Sequence, residues 1–252
     1  MVAKLLAGTE DGMTVTGVFS PQEAAEAVAR LDASPAERTG SPIGWVLGMP
    51  IGEVGPDSRD RTNFFDNTEM ARAEYLTAFG VDPLERIATA IDPMAGHLHC
   101  AVPTEDGREY NAGHVRWFLP GYGGLRAHAG NEFGTALKDG AMNHLFETTQ
   151  IMNHLSYFLV LQKPEIGGSL SVYDILWSPD DERQDWSNGE RNDAYFDVQP
   201  RMTIDPEPGD LVMFGGGFRW HRIEPVHGSI PRMTYGGFCA PSVDDTQLHF
   251  WI

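Results

Sequence analysis

Two periodicities divide this chain. Up to about residue 95 the apolar positions recur at helical spacing, with helix start signals in front of them. Ser20-Pro21-Gln22-Glu23 supplies an N-cap hydroxyl, a proline at the first helical position and the glutamate of a capping box; Ala24, Ala25, Val28 and Leu31 form the stripe behind it. Asn67 is placed to cap a second helix through Met70, Ala71, Tyr75 and Leu76, ended by Gly80. Asp82-Pro83-Leu84-Glu85 repeats the start signal for a third, with Leu84, Ile87, Ala88 and Ile91 inside. This flank is predicted to be mainly helical.

From about residue 97 the pattern shortens to β-like runs divided by Gly, Pro and Asp: 97–102, 114–119, 156–162, 169–176, 201–204, 210–214 and 233–240. Many short strands predict a sandwich or barrel, and helices packed outside it make the class α+β. Asp180–Asn192 is polar and reads as an insertion or lid loop. With no repeat, low-complexity tract or linker, residues 1–252 are read as one domain, a helical flank over 1–95 and a strand-rich core over 96–252.

Composition narrows the function classes. At 41% hydrophobic residues the chain can build a full core, and no stretch approaches the length of a transmembrane helix. The N-terminal apolar run is too short for a signal peptide, and the two cysteines, Cys100 and Cys239, make no disulfide framework. A reducing cytoplasm without disulfide-linked partners is the expectation. The formal charge of −18 disfavours phosphate backbones and anionic lipid, so neither nucleic acid nor membrane is expected as a partner.

Candidate chemistry lies in three segments. The first is Arg126-Ala127-His128-Ala129-Gly130-Asn131-Glu132-Phe133. The second contains Gly167-Gly168, suited to a tight hairpin between two apolar strands. The third runs from Pro208-Gly209-Asp210 through Trp220-His221-Arg222 to Arg232-Met233-Thr234. A strand, a Pro-Gly-Asp turn, a strand and an isolated histidine is a common way to aim an imidazole inward. A buried arginine on a barrel strand needs an anionic partner, and a small dicarboxylate satisfies it with a bidentate pair. Two imidazoles and a carboxylate-binding arginine suit an iron site that chelates a 2-oxo acid.

In this order the segments resemble the double-stranded β-helix (jelly-roll, cupin-like) Fe(II)/2-oxoglutarate-dependent oxygenases. Their pattern is His-x-Asp/Glu, a Gly-Gly hairpin, a Pro-Gly-Asp turn, a distal His and Arg-x-Ser/Thr, and the resemblance covers about residues 114–240. It implies His128 and His221 as iron ligands, and Arg232 with Thr234 on the distal carboxylate of 2-oxoglutarate. At position 130, where the family has a carboxylate, stands glycine. That departure resembles the radical halogenases of this superfamily, and the 93-residue interval between the two histidines resembles the carrier-independent halogenases and the N-acyl amino acid hydroxylases related to them. The implied cofactors are Fe(II), 2-oxoglutarate, O2 and a chloride in the position that Gly130 leaves open. The implied reaction chlorinates an unactivated aliphatic carbon of a freestanding small molecule through a ferryl intermediate, releasing succinate and CO2; the alternative is hydroxylation of a small molecule such as an amino acid derivative.

Neighbouring residues carry weaker expectations. Asn131 either contacts chloride or a bound water or caps a turn, and Arg126 either meets 2-oxoglutarate or the substrate beside His128 or makes a surface ion pair. Glu132 is a candidate substitute ligand, weakened by lying four residues beyond His128. His144, His154, His227 and His249 lack ligand context, and His97 and His99 read as strand residues. Trp220 should face away from His221 into the core. Gly215-Gly216-Gly217 lacks the setting of a phosphate loop and is read as letting the backbone come close to the site or bend before His221. Asn153, Ser156 and Tyr157 lie near an inner strand, and Arg61, Asn63, Phe64 and Phe65 are candidates for an entrance.

Overall fold

In the computed structural model, which describes residues 1–55, 58, 60–180 and 193–252, the helix Pro21–Ala33 is capped as its sequence dictates. Ser20 Oγ accepts from the Glu23 amide at 3.2 Å, and the Glu23 carboxylate accepts from the Ser20 amide at 2.7 Å. Helix Pro83–Ala95 starts on Asp82, whose carboxylate accepts from Leu84 N at 2.9 Å. The helix between them departs from the expectation at Asn67: it spans Thr62–Phe79, and Asp60 takes the Thr62 amide at 3.0 Å. Asn67 lies inside it, and its side-chain oxygen accepts from Met49 N at 2.6 Å. Phe64 and Phe65 turn into a core cluster with Tyr110, and Arg61 is buried on Glu105 at 2.7 Å. Those three line no entrance; of the four expected there, only Asn63 is exposed.

The N-terminal flank is also less helical than its periodicity suggests. Gly12–Val15, Thr39–Ser41 and Gly44–Leu47 are strands of the main sheet. Each is at most four residues long, too short for alternation to show. Among the described residues that sheet has nine strands, with Leu155–Gln162 and Arg232–Pro241 paired antiparallel at its centre. Leu211–Phe214 and then Gly12–Val15 extend one side; His114–Phe118, Gly44–Leu47 and Thr39–Ser41 extend the other. Gln247–Trp251 continues from Arg232–Pro241 and pairs parallel with His99–Ala101. A second sheet holds Arg201–Ile204, Leu170–Leu176 and Arg219–Ile223.

Strand alternation sorts the faces of the main sheet. Leu159, Leu161, Leu211, Met213, Met233 and Tyr235 pack with the helices through Val28, Leu31, Ala71, Phe79, Ile87 and Ile91. Phe118, Val212 and Phe214 turn the other way and meet Leu170, Val172 and Ile223 of the second sheet. The odd-numbered Met233 and Tyr235 belong to the helical face, so Arg232 and Thr234 point between the sheets, and His221 comes from the sheet opposite. The candidate side chains therefore project from both walls of one interior.

Two expectations about turns change. Gly167-Gly168 is no two-residue hairpin: Ile166–Gly167 pairs with Val226–His227, and both glycines have positive φ, 80° and 71°. A Cβ on Gly168 would stand 3.0 Å from Arg232 Cδ, so this glycine makes room for the arginine's stem. The strand Arg219–Ile223 around His221 was not apparent from alternation, because Arg219, Trp220 and His221 are all buried. Residues 181–192, most of the expected lid loop, lie outside the described residues. Cys100 and Cys239 are free thiols, and among the described residues no helix is long and apolar enough to cross a membrane.

Removal of the Ser20 hydroxyl leaves an N-terminal amide of its helix without its acceptor. Ser20→Ala is expected to lower stability by about 1 kcal/mol in chemical denaturation. Metal binding measured on the same variant should be unchanged.

Candidate active site

His128 and His221 meet through a backbone bridge. His128 N donates to His221 O, and His221 N to His128 O, both at 2.9 Å. The two rings stand with centroids 4.2 Å apart at 52°. Each Nδ1 is tied to the carbonyl two residues earlier: His128 to Arg126 O at 2.8 Å, His221 to Arg219 O at 3.0 Å. A carbonyl only accepts, so each Nδ1 carries the proton and each Nε2 keeps its lone pair, the tautomer a metal ion requires.

Directly after His128 the chain turns into a short helix, Asn131–Leu137, with Gly130 as its N-cap residue. Backbone from the glycine triplet holds that turn: Gly130 N donates to Gly216 O and Asn131 N to Gly217 O, both at 2.8 Å. The triplet lies close to its surroundings, since a Cβ on Gly216 would be 2.0 Å from Ser156 Oγ and one on Gly217 would be 2.6 Å from His154 O. Its glycines thus allow the bend and the close approach expected of them, and they fasten the segment that carries Gly130.

His154, given no role by the sequence, stands beside Gly130. Its ring is buried, edge-on to Phe238 at 4.8 Å and to Trp251 at 5.9 Å. Nδ1 donates to Ile151 O at 3.0 Å, and among the described residues Nε2 has no hydrogen-bond partner. A Cβ built on Gly130 would lie 2.3 Å from that Nε2. The local signal was a histidine one residue after Asn153, which has φ of 68°; nothing in the residue pattern marked its direction.

Arg232 is buried with its guanidinium 5.0 Å from the ring centres of both Phe118 and Phe158. A second guanidinium, Arg116, was missed by sequence reading. It lies on His114–Phe118, opposite Thr234 in the register, and donates to His114 Nε2 at 2.8 Å. Burial pushes Arg232 down to about 9, with Arg116 lowering it further, and burial pushes Arg116 down to about 10. Among the described residues no carboxylate forms an ion pair with either. A buried cation beside a half-buried one, with no carboxylate on either among the described residues, is costly, and a small dianion offsets that cost. A small cleft leads to Arg232 past Val160, Gln162, Lys163, Gly168 and Asp205.

The remaining candidates separate. Thr234 is buried on the strand of Arg232, between Val160 and Arg116 in register. The Asn131 amide is taken up by Asn153, donating to its Oδ1 at 3.1 Å and accepting from its N at 2.9 Å, which fits the turn-capping reading. Arg126 is exposed, and the contact it makes to His128 comes from its main-chain oxygen. Glu132 is buried in the first turn of the helix, so the extended spacing assumed for it does not apply. Tyr157 donates its hydroxyl to Ala112 O at 2.7 Å, and Trp220 packs on Phe196 at 4.8 Å in the core, as alternation required. His144 and His249 are bonded to Thr104 O and Thr149 Oγ1 at 2.9 and 2.6 Å, His97 pairs with Asp245, and His227 and His99 are exposed.

Among the described residues no third His, Cys, Asp or Glu completes a metal cluster with the histidine pair. The fit to a ferrous ion therefore rests on two imidazoles of suitable tautomer, with the other positions left for small ligands, and the fit to a 2-oxo dicarboxylate rests on Arg232 and Arg116.

Burial pushes His154 and His221 down to about 4, from an ordinary value of 6.5. The unfolded chain takes up protons on these imidazoles below 6.5, whereas the folded chain resists until about 4. Stability is thus full above that window and lost as pH falls through it. Thermal melts of the metal-free protein should drop by several degrees between about pH 7 and about pH 5, and His154→Gln should make that drop smaller.

Comparison with known proteins gives a family and a fold. A family model described as "Carrier-protein-independent halogenase WelO5" matches residues 1–252. An N-substituted L-amino acid dioxygenase from Burkholderia ambifaria AMMD is similar in fold with a TM-score of 0.63 at 15% identity, over 98% of this chain and 89% of that one. HygX from Streptomyces hygroscopicus, with nickel and 2-oxoglutarate bound, is similar with a TM-score of 0.54 at 14% identity, over 94% of this chain and 86% of that one. No curated protein sequence matches the chain. The solved structures establish a fold shared with 2-oxoglutarate oxygenases; the family model, spanning the whole sequence, places the chain in the WelO5 family of carrier-protein-independent halogenases.

Proposed function

We propose that this protein is an Fe(II)/2-oxoglutarate-dependent halogenase that chlorinates an aliphatic carbon of a freestanding small molecule. We read the two facing sheets as the double-stranded β-helix of that superfamily. The observation that carries the proposal is Gly130, which offers no side chain beside a histidine pair that Arg126 O and Arg219 O hold in the tautomer a metal ion requires. An open position on a divalent cation accepts a small anion, and chloride is the one this chemistry uses.

Each residue has a definite task. His128 and His221 hold the metal through Nε2, and their backbone bridge fixes the angle between the rings. Arg232, with Thr234 beside it, takes the distal carboxylate of 2-oxoglutarate, and Arg116 adds a second positive charge to that wall. The aromatic rings of Phe118, Phe158 and Phe214 keep water from the interior, and this strengthens both contacts. When bound, the iron and its keto acid supply the oxidising power to replace an unactivated hydrogen. In balance, 2-oxoglutarate, O2, R–H, chloride and a proton become succinate, CO2, R–Cl and water. The acidic surface favours a neutral or cationic substrate.

One observation favours a second reading, hydroxylation. The His154 Nε2 lone pair beside Gly130 accepts a hydrogen bond, so it welcomes water there and repels an anion.

Under anaerobic conditions, Fe(II) with 2-oxoglutarate should give a visible charge-transfer band that shifts on adding chloride. No band would sink the oxygenase reading; a band indifferent to chloride would leave hydroxylation. Arg232→Gln should weaken 2-oxoglutarate binding by at least about tenfold, since it removes a buried charged contact worth more than about 1.4 kcal/mol. Titration of the band with keto acid measures this.

A further inference from the structure

Gly130 raises a question that its backbone does not answer. Its φ of −65° and ψ of −25° are ordinary right-handed values that any residue adopts, so no conformational demand calls for glycine here. The close contacts of an added Cβ fall instead on one side chain: 2.3 Å to His154 Nε2 and 2.6 Å to His154 Cε1, against 3.2 Å to the nearest backbone atom, Gly216 O. That imidazole is not free to swing aside. Nδ1 is bonded to Ile151 O at 3.0 Å, and Phe238 and Trp251 stand edge-on against the ring. Its own backbone is clamped as well, with His154 O accepting from Gly217 N at 2.9 Å.

We infer that His154 is the positioning residue that keeps a third protein ligand out of the site: its ring occupies the space of the first side-chain carbon at position 130, so the two positions form one unit. The functional meaning of this pair rests on reading position 130 as the open coordination position; the packing itself does not. A direct consequence is that a carboxylate placed at 130 does not restore a two-histidine, one-carboxylate site by itself. It meets the imidazole first, and the imidazole must be removed before a longer side chain has room. The buried Nε2, without a hydrogen-bond partner among the described residues, is the ring atom nearest to that position.

A double-mutant cycle on the metal-free full chain tests the packing. Gly130→Ala should lower the melting temperature strongly, His154→Ala modestly, and the double variant should recover much of the Gly130→Ala loss. Should Gly130→Ala fail to fold, folding of the double variant is the rescue. Additive losses, or a double variant that also fails to fold, overturn the proposal. A spectroscopic arm reads what packing alone would not move. His154→Ala should retain the anaerobic Fe(II)–2-oxoglutarate band; loss of that band would make His154 a ligand and overturn the proposal. Gly130→Asp alone should lose the band, and Gly130→Asp with His154→Ala should regain it without response to chloride. A Gly130→Asp single variant that binds iron as well as the double variant also overturns it. Absence of the band in the unsubstituted protein would sink the oxygenase reading while leaving the melting cycle to decide the packing.

Discussion

Two hydrogen bonds between the main chains of His128 and His221 are the constraint on which the site depends. They join a loop leading into a short helix with a strand of the smaller sheet, 93 residues further along. Without that bridge the rings would be attached to unrelated elements, and their orientation would follow two independent sets of motions. With it, the distance between Cβ atoms is set by sheet geometry, and two carbonyls then fix which nitrogen of each ring is bare. Everything else about the centre is arranged around this pair. The glycine triplet fastens the following turn, the aromatic residues dry the interior, and the larger sheet brings the guanidiniums from the opposite wall.

The division of labour between the sheets follows from strand parity. On Arg232–Pro241 the odd positions are apolar and face the helices, so the even positions, Arg232 and Thr234, face inward. A shift of register by one residue would bury Met233 in the interior and send the arginine under the helices. The bulge between Met233 and Thr234 in the pairing with Leu155–Gln162 sits beside this pair, where a change in local twist re-aims a side chain. Gly168, whose missing side chain leaves space for the Arg232 stem, comes from the other sheet's approach. The surroundings of Arg232 thus come from both walls, although its charge is carried by one.

Much of this was readable in the residues, and the failures have physical reasons. The capping box at Ser20, the Asp82-Pro83 start and the long strands carry strong local signals, and the structure repeats them. The meeting of His128 and His221 and the burial of Arg232 were legible because spaced motifs surround each of them. The strand at Arg219–Ile223 was hidden because burial on both faces erases alternation. The short N-terminal strands owe their conformation to partners far away in sequence, Gly12–Val15 to Leu211–Phe214 and Gly44–Leu47 to His114–Phe118. Asn67 failed as a helix start because a good N-cap residue also serves as an acceptor for a distant amide. Arg116 and His154 were invisible for a further reason: each matters only through what faces it, and neither neighbour is near in sequence except His114 for Arg116.

The buried guanidinium of Arg232 and the half-buried one of Arg116 have an outcome beyond recognition. Among the described residues no carboxylate pairs with either charge, so a dianion between the walls would hold the interior together more firmly. On the proposed reading that dianion is the keto acid, and mass action would turn its ambient concentration into folding free energy, growing with the logarithm of that concentration. Lifetime against unfolding and proteolysis would then track the supply of the keto acid, and the molecule would persist longest where it is abundant.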